Sequence, residues 1–293
     1  MSMTDVHSAP RANHGADWDQ IRRRAKSILV HGIVLALVGL MLLPLVYMVM
    51  MSLKTSTEIA QDPLGLPDSL YWGNYMAALS SMGYLRSVLN SLGITLSVIV
   101  VVVFAGAMAA YPLARLENRI SRVIVMVMAL GLATPNFVTF TPIYVIFRDL
   151  GLLDSYLGIV LAFAALKLPL AVFFYTSFIA AIPIELEEAA RLDNCNNWQI
   201  FWHVIRPLLA PVTATLSLFV MIMVWNDFIY PLLLLTDKDK LTVMIAVYKF
   251  VGNTGIDPTK LFPAAVLGSL PLLIMFALFQ RKIMAGATAG AVK

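Results

Sequence analysis

Residues 88–111, VLNSLGITLSVIVVVVFAGAMAAY, form a run of 24 residues without one Asp, Glu, Lys or Arg. At 1.5 Å of rise per residue a helix of this length reaches about 36 Å, enough to cross a hydrocarbon core of about 30 Å. Working outward, similar apolar runs fall at 28–51, 123–147, 156–179, 212–235 and 261–280. Across all 293 residues 60% are hydrophobic and 13% charged, about half the charge of an ordinary soluble domain. A water-soluble enzyme is excluded. The pattern predicts an all-α polytopic membrane protein of about six transmembrane helices: a tail at 1–27, a transmembrane domain at 28–281 and a second tail at 282–293.

Orientation follows from Lys and Arg, which resist translocation. Thirteen lie on one side: Arg11, Arg22, Arg23, Arg24, Lys26, Arg115, Arg119, Arg122, Arg191, Arg206, Arg281, Lys282 and Lys293. Seven lie on the other, in loops 52–87 and 236–260 and after the third run: Lys54, Arg86, Arg148, Lys238, Lys240, Lys249 and Lys260. Both termini are therefore expected in the cytoplasm. The first run is about twice the length of a signal-peptide core, and no small-x-small site follows it before Lys54, so it reads as an uncleaved helix. Net charge +4 comes from the cytoplasmic anchors and gives no argument for nucleic acid.

Several chemistries have no residues to support them. Cys195 is the single cysteine and the four histidines are scattered, so neither a disulfide nor a Cys/His metal cluster is expected. No Gly-Lys dipeptide occurs, hence no phosphate-binding loop, and no H-E-x-x-H or G-x-S-x-G motif is present. A membrane-embedded enzyme is the weakest of the functional classes. No cofactor is expected on this chain, and ATP energy would have to come from a partner.

Loop 180–211 is the most informative polar segment, with IPIELEEAARLDNCNNWQIFWHVIRPLLAP at 182–211. Pro183 suits a helix start, and Glu185, Glu187 and Glu188 sit where carboxylates favour the helix N-terminus. A short helix should run to about Leu192, with Asn194 at a left-handed turn. Asn196 and Gln199 have capping-box spacing. Trp198, Phe201, Trp202 and Ile205 then mark one helical face, ended by Pro207 and Pro211. Two basic residues against four acidic ones do not suit an anionic membrane surface, whereas the small Ala189-Ala190 surface suits a protein cleft.

These residues resemble the permease subunits of bacterial ATP-binding-cassette importers of the maltose-type carbohydrate branch. The likeness rests on Glu188-Ala189-Ala190-Arg191-Leu192-Asp193 and on Trp198 through Pro207, with Asn194 standing where the family has glycine. It extends to Met51-Ser52-Leu53-Lys54-Thr55, Asn74-Tyr75, Asn90-Ser91, proline-broken segments at Pro135 and Pro142 in the third run, Trp225-Asn226-Asp227-Phe228 and the chain end. What the resemblance implies is a type I importer permease in the bacterial inner membrane. It would be half of a pore completed by a second homologous permease. Two copies of a cytoplasmic ATPase would carry ATP and Mg, and an extracytoplasmic solute-binding protein would deliver an oligosaccharide. Glu188, Ala189, Ala190, Arg191, Asp193 and Asn194 would then couple to the ATPase. Ala289, Gly290, Ala291, Val292 and Lys293 would be a second ATPase contact, and Gly252, Asn253, Thr254 and Gly255 a contact to the binding protein.

Lys167 and Asp227 are the charges inside the apolar runs, and such groups are functional candidates. They could pair with each other or with a partner chain. Alternatively Lys167 faces the substrate path, with Trp225, Asn226, Asp227 and Tyr230 adding stacking and hydrogen bonds for an acidic sugar. The overall look of the chain, together with Lys167, is also similar to the permease pair of alginate-oligosaccharide importers, with neutral maltose-like sugars and glycerol-phosphate diesters remaining as other substrate classes. The competing class is an ion-gradient-driven secondary transporter with Asp227 and Lys167 as its coupling pair.

Overall fold

The computed structural model describes residues 14–116, 118–252 and 255–291. Helix α1 (His14–Ser52) carries the first apolar run, whose most apolar window has nothing buried inside the chain, whereas Met51 and Ser52 at the helix end are buried. It meets the rest near its C-terminal end, where Tyr47 packs edge-on against Phe262 at 6.2 Å. The chain then turns back over itself. Asn74 Nδ2 donates to the carbonyls of Ser52 and Lys54 (3.1 and 2.8 Å), and the buried Lys54 Nζ donates to Asp62 O at 2.6 Å. Loop 52–87 thus contains two helices, α2 (Ser56–Gln61), opened by a Thr55/Glu58 capping box, and α3 (Gly73–Met82).

Gly83, at φ +54, makes the left-handed step into α4 (Tyr84–Arg115), which carries the run at 88–111. The third run, expected as one span with proline-broken segments at Pro135 and Pro142, is two helices: α5 (Arg119–Ala133) and α6 (Asn136–Asp149), bent by 106°. Pro135 causes the break, because it lacks an N–H and pushes Thr134 out of the helical region to φ −71, ψ 123. Pro142 lies inside α6 and does not end it.

Helix α7 (Tyr156–Ala181) packs along α4 through small residues, as membrane helices that approach closely do. At Gly106 a Cβ would fall 2.6 Å from Ala171 Cβ, so this crossing has no space for a side chain. Next come α8 (Glu185–Leu192), α9 (Asn197–Ile200), a π turn (Phe201–Ile205), α10 (Arg206–Leu208) and, after a 73° bend, α11 (Ala210–Trp225).

The fifth run also departs from expectation. Instead of continuing to residue 235, α11 stops at Trp225, and Asn226-Asp227-Phe228 separates it from α12 (Ile229–Leu234). Asp227 Oδ1 accepts the backbone N–H of Tyr230 at 3.1 Å, a side-chain-to-backbone bond that competes with helix continuation. Loop 236–260 holds a 3₁₀ turn (Lys238–Lys240), α13 (Val243–Tyr248) and an antiparallel hairpin of β1 (Val251–Gly252) and β2 (Gly255–Ile256). Helix α14 (Pro258–Ala291) closes the described chain.

Two cores result. The larger joins α4, α7, α11 and the π turn, centred on Val98, Phe163, Tyr175, Ile205 and Leu216. The smaller joins α3, α13 and α14 around Ala78, Trp225, Val243 and Ala264. Among the described residues four helices are long and apolar enough to cross a membrane, and the number rises to six where each of the two bent pairs is counted as one span.

Candidate functional site

Helix α8 stands at the end of the bundle where α4 and α7 finish. Its start is acidic, with Glu185, Glu187 and Glu188 in the first turn, and its end is closed by a Schellman arrangement. Asn194 N–H donates to Arg191 O and Cys195 N–H to Ala190 O, both at 3.0 Å. Asn194 has φ +60, the left-handed conformation expected at this position. Asparagine tolerates it because its short polar side chain lowers the penalty that other L-residues meet there.

The next segment begins at the Asn196/Gln199 capping box, with reciprocal bonds of 2.8 and 2.9 Å. Of the expected face Phe201 and Ile205 are buried and Trp202 is half-buried, and only Trp198 departs. Trp198 is 54% exposed, whereas Ile200, Phe201, Ile205 and Leu209 are buried. The cause is the π turn, in which Arg206 N–H bonds back five residues to Phe201 O. That wider turn brings Ile200 and Ile205, five apart, onto one side. Pro207 lies within the helical continuation to Leu208 and does not stop it.

Outward from α8 the surface is open: Glu188, Ala189, Arg191, Asp193 and Asn194 are exposed, Ala190 is half-buried, and the Leu192 side chain is 84% exposed. Inward it is held by a residue that spacing did not single out. Glu187, with its side chain 1% exposed, lies against the last turns of α4. Arg115 Nε donates to Glu187 Oε1 at 2.7 Å, Tyr111 OH donates to Oε2 at 2.9 Å, and Arg115 Nη2 donates to Ile182 O at 3.0 Å. Glu187 and Arg115 stand 72 residues apart, so neither helical period nor local motif announces the pair.

The intramembrane candidates are not gathered on one surface. Trp225 is buried, its indole N–H 3.3 Å from Gly268 O, and Tyr230 is buried, sharing a hydrogen bond with the Thr139 hydroxyl at 2.6 Å. Both are core side chains of this chain. Lys167 and Asp227 are half-buried and Asn226 is exposed. The two charges are close enough to interact, without a direct ion pair.

A cavity of about 880 Å³ lies between α4, α11 and the π turn, lined by residues such as Val100, Phe104, Trp202, Ala214 and Met275. Its polar groups are few, chiefly Tyr175, Thr213, Ser217 and Arg206. A sugar there would leave most hydroxyls without partners, which burial penalises.

At the opposite end, the 3₁₀ turn is tied down by polar groups. Asp154, at φ +53, accepts the N–H groups of Thr236 and Asp237 (3.1 and 3.0 Å) and the Lys240 ammonium at 3.2 Å. The Asp237 N–H, with Thr236 and Lys240, holds the Asp154 carboxyl below the usual aspartate range, and the bond to Asp154 raises Lys240. Arg86 pairs with Asp239, and Asn90 donates to the carbonyls of Asp239 and Leu241. In the hairpin, Gly252 and Gly255 pair across the strands, while Asn253 and Thr254 lie outside the described residues. Ala289, Gly290 and Ala291 continue α14, and Val292 and Lys293 lie outside the described residues. Among the described residues no cluster of three His, Cys, Asp or Glu could hold a metal ion.

Comparison with known proteins places these features in a family. The model of the binding-protein-dependent transport system inner membrane component matches residues 102–284, from the last turns of α4 through α8 to α14. The chain is 33% identical to the diacetylchitobiose uptake system permease protein NgcG of Streptomyces coelicolor over 89% of its length and 87% of that protein. It is 35% identical to the trehalose transport system permease protein SugB of Mycobacterium tuberculosis over 87% of its length and 94% of that protein. It shares its fold with a chain in the crystal structure of a bacterial ABC transporter involved in the import of the acidic polysaccharide alginate. There the TM-score is 0.74 and the identity 24%, over 93% of this chain and 99% of that one. The protein belongs to the family of inner membrane components of binding-protein-dependent transport systems.

Proposed function

We propose that this chain is one permease subunit of an ATP-driven, binding-protein-dependent importer of di- and oligosaccharides in the bacterial inner membrane. With a second homologous permease it forms the pore. Two copies of a cytoplasmic ATPase, which bind ATP and Mg, dock on the end bearing α8, and a solute-binding protein docks on the end bearing the hairpin. Both termini face the cytoplasm, in line with the basic residues.

The observation that carries the reading is the two-sided character of α8. One side offers Glu188, Ala189, Arg191 and Leu192 to a partner, and the other is fixed to α4 and α7 by Glu187. A carrier driven by an ion gradient has no use for such a surface. The sugar class is supported by the relatives named for diacetylchitobiose and trehalose. An acidic sugar such as an alginate oligosaccharide is the finer reading and rests on Lys167. Lys167→Met would then slow uptake of an alginate oligosaccharide and spare trehalose, and equal uptake of the charged sugar would end that reading.

The test of the assembly is purification of the detergent-solubilised complex, wild type beside Glu188→Lys, with ATP hydrolysis measured in both. The reading expects a cassette ATPase with the wild type and its loss or uncoupling in the variant. A wild-type complex without ATPase would overturn it.

A further inference from the structure

The outer surface of α8 explains how a partner could be met, but not how its movement would reach the membrane helices. Through the chain, α8 is joined to α7 by Ile182-Pro183-Ile184 and to α9 by the turn at Asn194. Backbone joints of this kind leave a helix of eight residues free to pivot about either end. A third attachment removes that freedom.

Glu187 uses both carboxylate oxygens on α4, one on Arg115 and one on Tyr111. The Arg115 guanidinium reaches past it to Ile182 O, the carbonyl of the residue that caps α7. The Tyr111 ring lies 5.7 Å from Phe201, the first residue of the π turn. Four elements, α4, α7, α8 and the π turn, thus meet at one buried carboxylate. A shift of α8 that left α4 behind would strand that charge away from water, an unfavourable state that drives α4 to follow. Further into the bundle α4 lies so close to α7 at Gly106 and Ala171 that the two pass the displacement on together.

We infer that the Glu187–Arg115–Tyr111 cluster is the joint that transmits movement of α8 to α4 and α7, with Glu187 as a positioning residue and not a contact to the ATPase. This rests on the proposed coupling role of α8. It separates two neighbouring glutamates: Glu188 faces the partner, and Glu187 faces the membrane helices.

The experiment uses the complete importer, with partner permease, ATPases and binding protein, in sealed vesicles. The probe is whichever of diacetylchitobiose, trehalose or an alginate oligosaccharide most stimulates wild-type ATP hydrolysis. Three quantities are read for wild type, Glu187→Gln and Tyr111→Phe: ATPase retained on purification, ATP hydrolysed, and sugar moved per ATP. The joint predicts that Glu187→Gln keeps its ATPase while sugar moved per ATP falls at least about fivefold, the lower end of an ordinary coupling free energy. Tyr111→Phe, which spares the ion pair, falls in the same direction by less. A wild-type ratio in both variants overturns the inference, as does a loss of transport that only tracks loss of bound ATPase. Where Glu187→Gln does not accumulate in the membrane, Tyr111→Phe decides alone, and a wild-type ratio there overturns the joint. Failure of the underlying coupling role is seen separately, as a wild-type preparation that carries no ATPase.

Discussion

The two polar ends of the bundle are tied in opposite ways. At the α8 end one carboxylate, Glu187, is buried and bonded to Arg115 and Tyr111 through both oxygens, while Glu188, Ala189, Arg191 and Leu192 are exposed. At the hairpin end the ties are many and wet: the Arg86 and Asp239 side chains are 62% and 68% exposed, and Lys240 reaches Asp154 from a partly open position. Breaking a buried pair by removing one partner costs about 3–5 kcal/mol, whereas an exposed pair contributes about 0–1 kcal/mol. The contrast suits two tasks. A connection that must carry displacement needs one joint that fails at a high cost. A platform that only has to hold a loop in place can use several weak ties that water shares.

The comparison breaks most readily at its strong side. Glu187→Ala leaves Arg115 facing a void and should destabilise the subunit by about 3–5 kcal/mol, seen as an earlier transition when the purified protein is titrated with a denaturing detergent. The close crossing behind the joint comes next. Gly106→Ala puts a methyl group onto Ala171 Cβ and should cost about 1–3 kcal/mol in the same titration, because two backbones would have to separate. A cost near zero would mean that α4 and α7 are not rigidly packed.

At the turn closing α8, Asn194→Val should cost about 1–2 kcal/mol, because a β-branched residue is strained at φ +60, while Asn194→Gly should be neutral or slightly stabilising. At the weak end, Arg86→Ala should change stability by less than about 1 kcal/mol, and the change should shrink further in high salt. The smallest effect is the pH response of the hairpin end. Asp154 has a lowered pKa, so its contribution is fully present above the ordinary aspartate value and fades only as pH falls through the depressed one. Lys240 has a raised pKa, so its contribution is present below the ordinary lysine value and is lost as pH rises through the raised one. Amide hydrogen exchange at Thr236 and Asp237, corrected for intrinsic rate, should therefore stay flat through neutral pH and rise only at the two extremes.

Much of this architecture is legible in the sequence, because the bilayer imposes one strong rule on every span. The six apolar runs, the short helix at 185–192, the left-handed turn at Asn194 and the Asn196/Gln199 box all follow from local chemistry. What escapes is non-local or depends on how a helix is wound. Pro135 and Pro142 both announce a break in the third run, but hydropathy shows neither that Pro135 alone makes it nor that the two apolar halves meet at 106°. Nor does it show that Asp227 helps end α11 by bonding to Tyr230 N–H. The π turn shifts the buried face from Trp198 to Ile200, and a 3.6-residue period assumes no such turn. Trp225 and Tyr230 look like sugar-stacking aromatics beside Asn226 and Asp227, yet packing against Gly268 and Thr139 decides their place. Among the acidic residues of the loop, Glu187 differs from Glu185 and Glu188 only in what lies behind it.

Under the proposed function this chain moves sugar by coupling to a partner ATPase through α8. The most direct measurement is sugar uptake into vesicles holding the complete complex with ATP trapped at the α8 side and ionophores present to collapse every ion gradient. The account predicts uptake that needs both ATP and the binding protein and is unaffected by the ionophores. Uptake that stops when the gradients collapse, with ATP still present, would contradict it.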